Sequence, residues 1–185
     1  NSILGYMYEG DNHKADLVLV NFAQLIRQHF ENNQREMVSL TDELDFLSKY
    51  VQLEQIRSSF GLEYDLYIPP DLKSQLYAYQ IPTMIVQPML EKVIWKQLAP
   101  KLATGKLWIR IAKEAECIVF TISDNGVHTP PSDSSTSDMR YMERISLYNS
   151  RFDHPITLDY FESKVDSGIA NSLRMNLPFQ STKSV

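Results

Sequence analysis

The chain reads as an α+β protein: a helical hairpin followed by an α/β sandwich, in which a mostly antiparallel mixed sheet is covered by helices on one face. Three observations predict this. Two amphipathic helical patterns precede Gly61, the hydrophobic period switches from helical to alternating after it, and the order that follows is strand, helix, two strands, loop, helix, two strands. No internal repeat is visible.

From Lys14 to Phe30, the residues Ala15, Val18, Leu19, Phe22, Ile26 and Phe30 keep an i, i+3, i+4 stripe, with Asp11 or Asn12 available as a cap. A polar run, ENNQRE, breaks it. Ser39 with Asp42 three residues later resembles a capping box, and Leu40, Leu44, Leu47, Val51 and Ile56 form the stripe of a second helix that ends before Gly61. Such a hairpin has apolar stripes that need cover from the following domain or from a second chain.

Leu62, Tyr64, Leu66 and Ile68 share one face of a strand that Pro69 and Pro70 stop. The stretch from Ile81 to Leu98, IPTMIVQPMLEKVIWKQL, reads as a helix because Ile85, Met89, Val93 and Ile94 recur at helical spacing. A proline is tolerated in a first helical turn, so Pro88 places the start of the regular helix near Val86 or Gln87, and Pro100 closes it. Leu107, Ile109 and Ile111 alternate, KEAE offers a turn, and Ile118, Phe120 and Ile122 alternate again, which predicts an antiparallel hairpin ending at Asp124-Asn125-Gly126. Val127 to Asp138 combines two prolines with a run of hydroxyl side chains and has the composition of a mobile loop. A short helix near Met139 to Asn149, a strand through Ile156, Leu158 and Tyr160, and another through Leu173, Met175 and Leu177 complete the order.

Composition narrows the function. With 185 residues and 43% hydrophobic content the chain can bury a proper core. The net charge of −5 is spread over interspersed residues, which excludes a basic stripe for nucleic acid. No apolar run approaches the roughly 20 residues of a membrane span, and no signal pattern opens the chain, so a membrane contact is not expected. Cys117 is the only cysteine and sits in an apolar run, as a buried small hydrophobe would. His13, His29, His128 and His154 show no ligand spacing and read as surface residues. Glu91 and Lys92, on an otherwise apolar helix, are either an ion-paired helix face or a functional pair.

Taken together, SLTDELDFLSKYVQLEQIRSSF with its arginine Arg57, VQPMLEK, the strand-ending SDNG and the final LRMNLP follow an order and spacing that resemble the GHKL superfamily of histidine kinases, gyrases and MutL proteins. Within it, the match is closest to LytS-type sensor histidine kinases. The resemblance covers nearly the whole chain and implies a GHKL-type sandwich at 62–180, preceded at 1–61 by a helical hairpin from a dimerisation and phosphoacceptor domain and followed by a tail at 181–185. Relatives dimerise through a four-helix bundle, hand phosphate to a response regulator and work in the cytoplasm, in some cases anchored to a membrane. Their acceptor histidine lies in a motif like HFxFN, and NSILGYMYEGD is similar to the segment just after it, so the acceptor is expected upstream. His13 and His29 do not stand in its place.

The resemblance also assigns site residues. Glu91 occupies the position of the family's general base, and Asp124, Gly126, Gly168 and Asn149 occupy nucleotide-binding positions, with Asp124 expected to accept the exocyclic amine of adenine. Five positions depart from the pattern: Lys92 replaces the asparagine that coordinates Mg²⁺, Lys96 also lies in that helix box, and His128, Ser146 and Ala170 stand where glycines line the phosphate path. An ammonium offers only donors and cannot coordinate a hard cation, and a lost glycine removes close approach to phosphate.

Three readings stand: an active autokinase using ATP and Mg²⁺, a degenerate kinase acting as a dimerising scaffold with no cofactor or metal bound, and an unrelated α+β interaction module. Motif order disfavours the third, while Lys92 and the lost glycines favour the second.

Overall fold

The computed structural model describes residues 8, 10–58, 60–100, 103–127, 136–151, 153–165 and 168–181. Helix α1 (Asn12–Asn33) is capped by Asp11, whose side chain accepts the Lys14 N–H at 3.1 Å. Helix α2 (Leu40–Arg57) begins at Ser39, whose hydroxyl accepts the Asp42 N–H at 3.0 Å. Only that half of the expected capping box forms.

Between the two helices lies a strand that periodicity did not predict. β1 (Met37–Ser39) pairs with β3 (Tyr79–Pro82), which pairs in turn with β8 (Gln180–Ser181), making a small antiparallel sheet. Pieces this short carry no period of their own and form because distant segments meet. Ser181, expected in the tail, is the outer partner of Tyr79.

The main sheet has five strands in the order β2 (Leu62–Tyr67), β4 (Gly105–Glu114), β5 (Cys117–Asp124), β7 (Gly168–Pro178) and β6 (Thr157–Val165). It is antiparallel except at the β2–β4 edge, where the strands run parallel, so the expected mixed sheet is observed. Leu107, Ile109 and Ile111 of β4, Ile118, Phe120 and Ile122 of β5, and Leu173, Met175 and Leu177 of β7 enter one core with Leu44, Leu47 and Val51 of α2. That core also takes in Ile81, so it spans residue 61. Each fully buried aliphatic side chain contributes roughly 1.5–3 kcal/mol, far more than an exposed ion pair such as Lys49 with Asp45.

The stretch expected as one helix from Ile81 is corrected at its start. Ile81 and Pro82 belong to β3, a turn with Met84 at φ 60° follows, and α4 runs only from Val86 to Lys92. The start at Val86 is where the Pro88 argument put it. From Val93 to Leu98 the helix widens into a π turn, in which the Ala99 N–H reaches the Ile94 carbonyl at 2.9 Å. Short α3 (Pro70–Lys73) precedes β3, and α5 (Thr136–Asn149) extends the helix expected from Met139.

The α1 stripe is also corrected. Ala15, Val18 and Leu25 are buried, but Leu19, Phe22, Ile26 and Phe30 face outward. Cys117 is half-buried at the start of β5, rather than enclosed. His13 and His154 are exposed, whereas His29 is half-buried with its ring 6.4 Å from that of Phe46. Most of the expected mobile loop, including His128, lies outside the described residues.

Candidate functional site

The site forms where β5 ends against the π turn. Asp124, 1% exposed, is the last residue of β5, and its Oδ1 accepts the Gly126 N–H at 2.8 Å. Asn125 ties the turn to the start of β4: its Oδ1 accepts the Lys106 N–H at 2.8 Å and its own N–H reaches the Lys106 carbonyl at 3.2 Å. On the other side, the Val127 N–H donates to the Gln97 carbonyl at 3.0 Å. Asn171 of β7 donates from Nδ2 to the Gly126 carbonyl at 3.2 Å and to Asp124 Oδ1 at 3.4 Å. The Asp-Asn-Gly turn is therefore held from three elements.

A cavity of about 280 Å³ opens beside this turn. Met89, Val93, Ile122, Tyr160, Phe161 and Leu173 make most of its wall apolar, while Asp124, Asn171, Lys92, Gln97, Ser172 and Glu162 supply the polar groups. Beneath it the hydroxyls of Ser123, Ser172 and Ser163 form a chain across β5, β7 and β6 at 2.8 and 2.6 Å. An apolar slot with a buried carboxylate on one side suits a planar polar ring.

A second cavity of about 270 Å³ lies against the first, on the outer side of α4. Glu91, Lys92, Trp95, Lys96 and Tyr141 line it, and Met89 and Lys92 are shared with the inner cavity. Consecutive helical residues point about 100° apart, which separates Glu91, exposed and on the outer cavity alone, from half-buried Lys92 on both. The Tyr141 hydroxyl donates to the Ile85 carbonyl at 3.0 Å, fixing α5 to the start of α4. Burial first, and Tyr160 second, push its phenol well above the ordinary tyrosine range.

Other expected residues lie apart from these cavities. Asn149 closes α5: its Oδ1 accepts the Ile156 N–H at 2.7 Å and its Nδ2 donates to the Ile156 carbonyl at 3.1 Å. Ser146 is exposed on the same helix. Gly168 pairs with Val165 at the end of the β6–β7 ladder, and buried Ala170 pairs with Ser163. Among the cavity residues that the sequence argument did not assign to a site are Gln97, Tyr160, Phe161, Glu162, Asn171 and Ser172. Their neighbourhood is made by strand pairing and the π turn, although Asn171 follows Ala170 in a stretch already singled out.

Behind the cavities a partly buried cluster joins the π turn to α2. Glu54, 1% exposed, meets Arg57 at 3.1 Å, and the Arg57 guanidinium lies 5.5 Å from the centre of the Trp95 ring. Burial raises the Glu54 carboxyl above its ordinary range against the pull of Arg57, and Glu91 adds to the rise. Burial likewise raises the phenol of neighbouring Tyr50, with Glu54 and Glu91 acting in the same direction.

A histidine kinase family model matches residues 1–61. The sensor histidine kinase BtsS of Escherichia coli K12 is 26% identical over 135 residues, which are 72% of this chain and 23% of that protein. Sensor protein LytS of Staphylococcus epidermidis is 23% identical over 128 residues, 68% of this chain and 21% of that protein. The chain therefore spans less than a quarter of the length of these relatives. Among solved structures, the mycobacterial sensor histidine kinase MprB is similar in fold, with a TM-score of 0.50 at 14% identity over 80% of this chain and 100% of that one.

Proposed function

We propose that this chain, which is similar to LytS-type sensor histidine kinases and has a histidine-kinase fold, serves as a signalling scaffold whose nucleotide site no longer supports metal-dependent phosphoryl transfer. The reading of an unrelated interaction module falls with the family. The observation that carries the proposal is Lys92, half-buried and lining the cavity beside Asp124. In relatives that position is the asparagine whose oxygen holds Mg²⁺, and an ammonium there repels the ion.

The residues fit a nucleotide base but not the metal. Asp124 in an apolar slot suits an adenine amine, whereas the Lys92 ammonium beside it has no lone pair to offer a hard cation. Phosphoryl transfer relies on a cation to neutralise the developing charge.

On this reading the outward face of α1 joins a second copy of the chain, and the pair docks a response regulator in the cytoplasm. Among the described residues no helix is long and apolar enough to cross a membrane. The test is release of labelled phosphate from Mg²⁺-ATP by the unmodified chain, together with Mg²⁺-ATP affinity. The scaffold gives no turnover, and Lys92→Asn alone restores at most weak Mg²⁺-ATP binding. Tight binding with turnover would return the chain to the active kinases, with Glu91 as its base.

A further inference from the structure

An ammonium that excludes Mg²⁺ attracts phosphate. Lys92 and Lys96 are four residues apart, and both line the outer cavity, where Glu91 is the single carboxylate among the described lining residues. Lys92 also lines the inner cavity, so its side chain borders both spaces. A base held in the inner slot beside Asp124 has its sugar and phosphates leaving past Lys92 toward Lys96. The path is walled on the outer side by Trp95 and Tyr141.

We propose that this chain binds purine nucleoside polyphosphates without a metal ion, the base against Asp124 in the inner cavity and the polyphosphate across Lys92 and Lys96 in the outer one. This rests on the reading of the inner cavity as a nucleotide site. The charge argument gives it a direction. A metal-free triphosphate carries two more negative charges than its Mg²⁺ complex, so two ammoniums select the bare form while an asparagine site selects the complex. The same site that cannot perform transfer then reports nucleotide without consuming it, as a scaffold requires.

Calorimetry on the whole chain tests this with three probes: ATP in EDTA, ATP in excess Mg²⁺, and adenosine. ATP is expected to bind in EDTA, more tightly than adenosine, and to weaken about tenfold when Mg²⁺ is added. Lys92→Gln and Lys96→Gln should each weaken ATP in EDTA by about tenfold, the cost of one charge-assisted contact, and Lys96→Gln, which lies outside the inner cavity, should leave adenosine unchanged. Thermal melts of both variants should match the parent, since Lys92 is only half-buried and Lys96 is exposed. A requirement for Mg²⁺, equal affinity for ATP and adenosine, or variants without effect would overturn the proposal while leaving a base-binding site standing. Absence of binding by all three probes at millimolar concentration would overturn that site reading as well. The scaffold reading fails separately, through phosphate release.

Discussion

Gly126 packs against the Gln97 carbonyl so closely that a Cβ on it would lie under 3.0 Å from both the Gln97 backbone and Asp124 Oδ1. The close approach is what lets the π turn accept the Val127 N–H and lets Asp124 hold the Gly126 N–H. Gly126→Ala should therefore cost about 1–3 kcal/mol, because the opposing atoms include backbone and cannot rotate away. Urea denaturation would show it. An unchanged midpoint would mean that the turn and the π segment separate freely.

Glu43 provides the clearest pH dependence. It is 1% exposed on α2, and burial pushes its carboxyl from 4.5 to about 7, with Arg144 of α5 opposing the rise. The folded state thus keeps this proton over a range where the unfolded chain releases it. Its contribution is fully present below about pH 4.5 and is lost as pH rises toward 7, a change on the order of 3 kcal/mol. Glu43→Gln should remove that slope and be the more stable form at pH 8. Paired urea titrations at pH 5 and pH 8 measure it, and parallel slopes for parent and variant would refute the assignment.

Arg57 is expected to act as a planar group and not only as a charge. It meets Glu54 and lies over Trp95, which also has the Phe60 ring edge-on at 6.4 Å. Arg57→Ala leaves the buried Glu54 carboxylate with less compensation and should cost roughly 1–3 kcal/mol, discounted because Arg57 is itself exposed. Arg57→Lys should recover less than half, since a lysine cannot reproduce the fork or the stack. Both variants should alter the tryptophan emission. Full rescue by lysine would reduce the cluster to a simple ion pair.

The outward face of α1 predicts self-association. Leu19, Phe22, Ile26 and Phe30 are 47%, 48%, 41% and 64% exposed along one helix, a contiguous apolar strip of the kind that marks an interface. Sedimentation should show a dimer that Ile26→Glu dissociates with little effect on the melting of a monomer. A monomeric parent at high micromolar concentration would count against the interface.

The elements legible in the sequence are those whose neighbours lie a turn or a residue pair away. Alternation in β4 and β5 located a hairpin because one face of each strand meets the core, and Ser39 located the start of α2 because its cap is three residues long. Asp124 and Gly126 were legible for a similar reason, since a turn keeps its chemistry in consecutive residues. Motif order then carried the resemblance to the histidine kinases.

What the tertiary structure alone decided is where distant segments meet. β1, β3 and β8 have no period to read because each exists only as the hydrogen-bond partner of another. The stripe of α1 could not declare which half faces α2, since a helix presents the same periodicity to a core and to a second chain. Lys92 was visible as a substitution, but its place between two cavities depends on β5, β6 and β7 closing against α4. A side chain's chemistry is written in the sequence, whereas the space it faces is set by contacts between residues far apart in the chain.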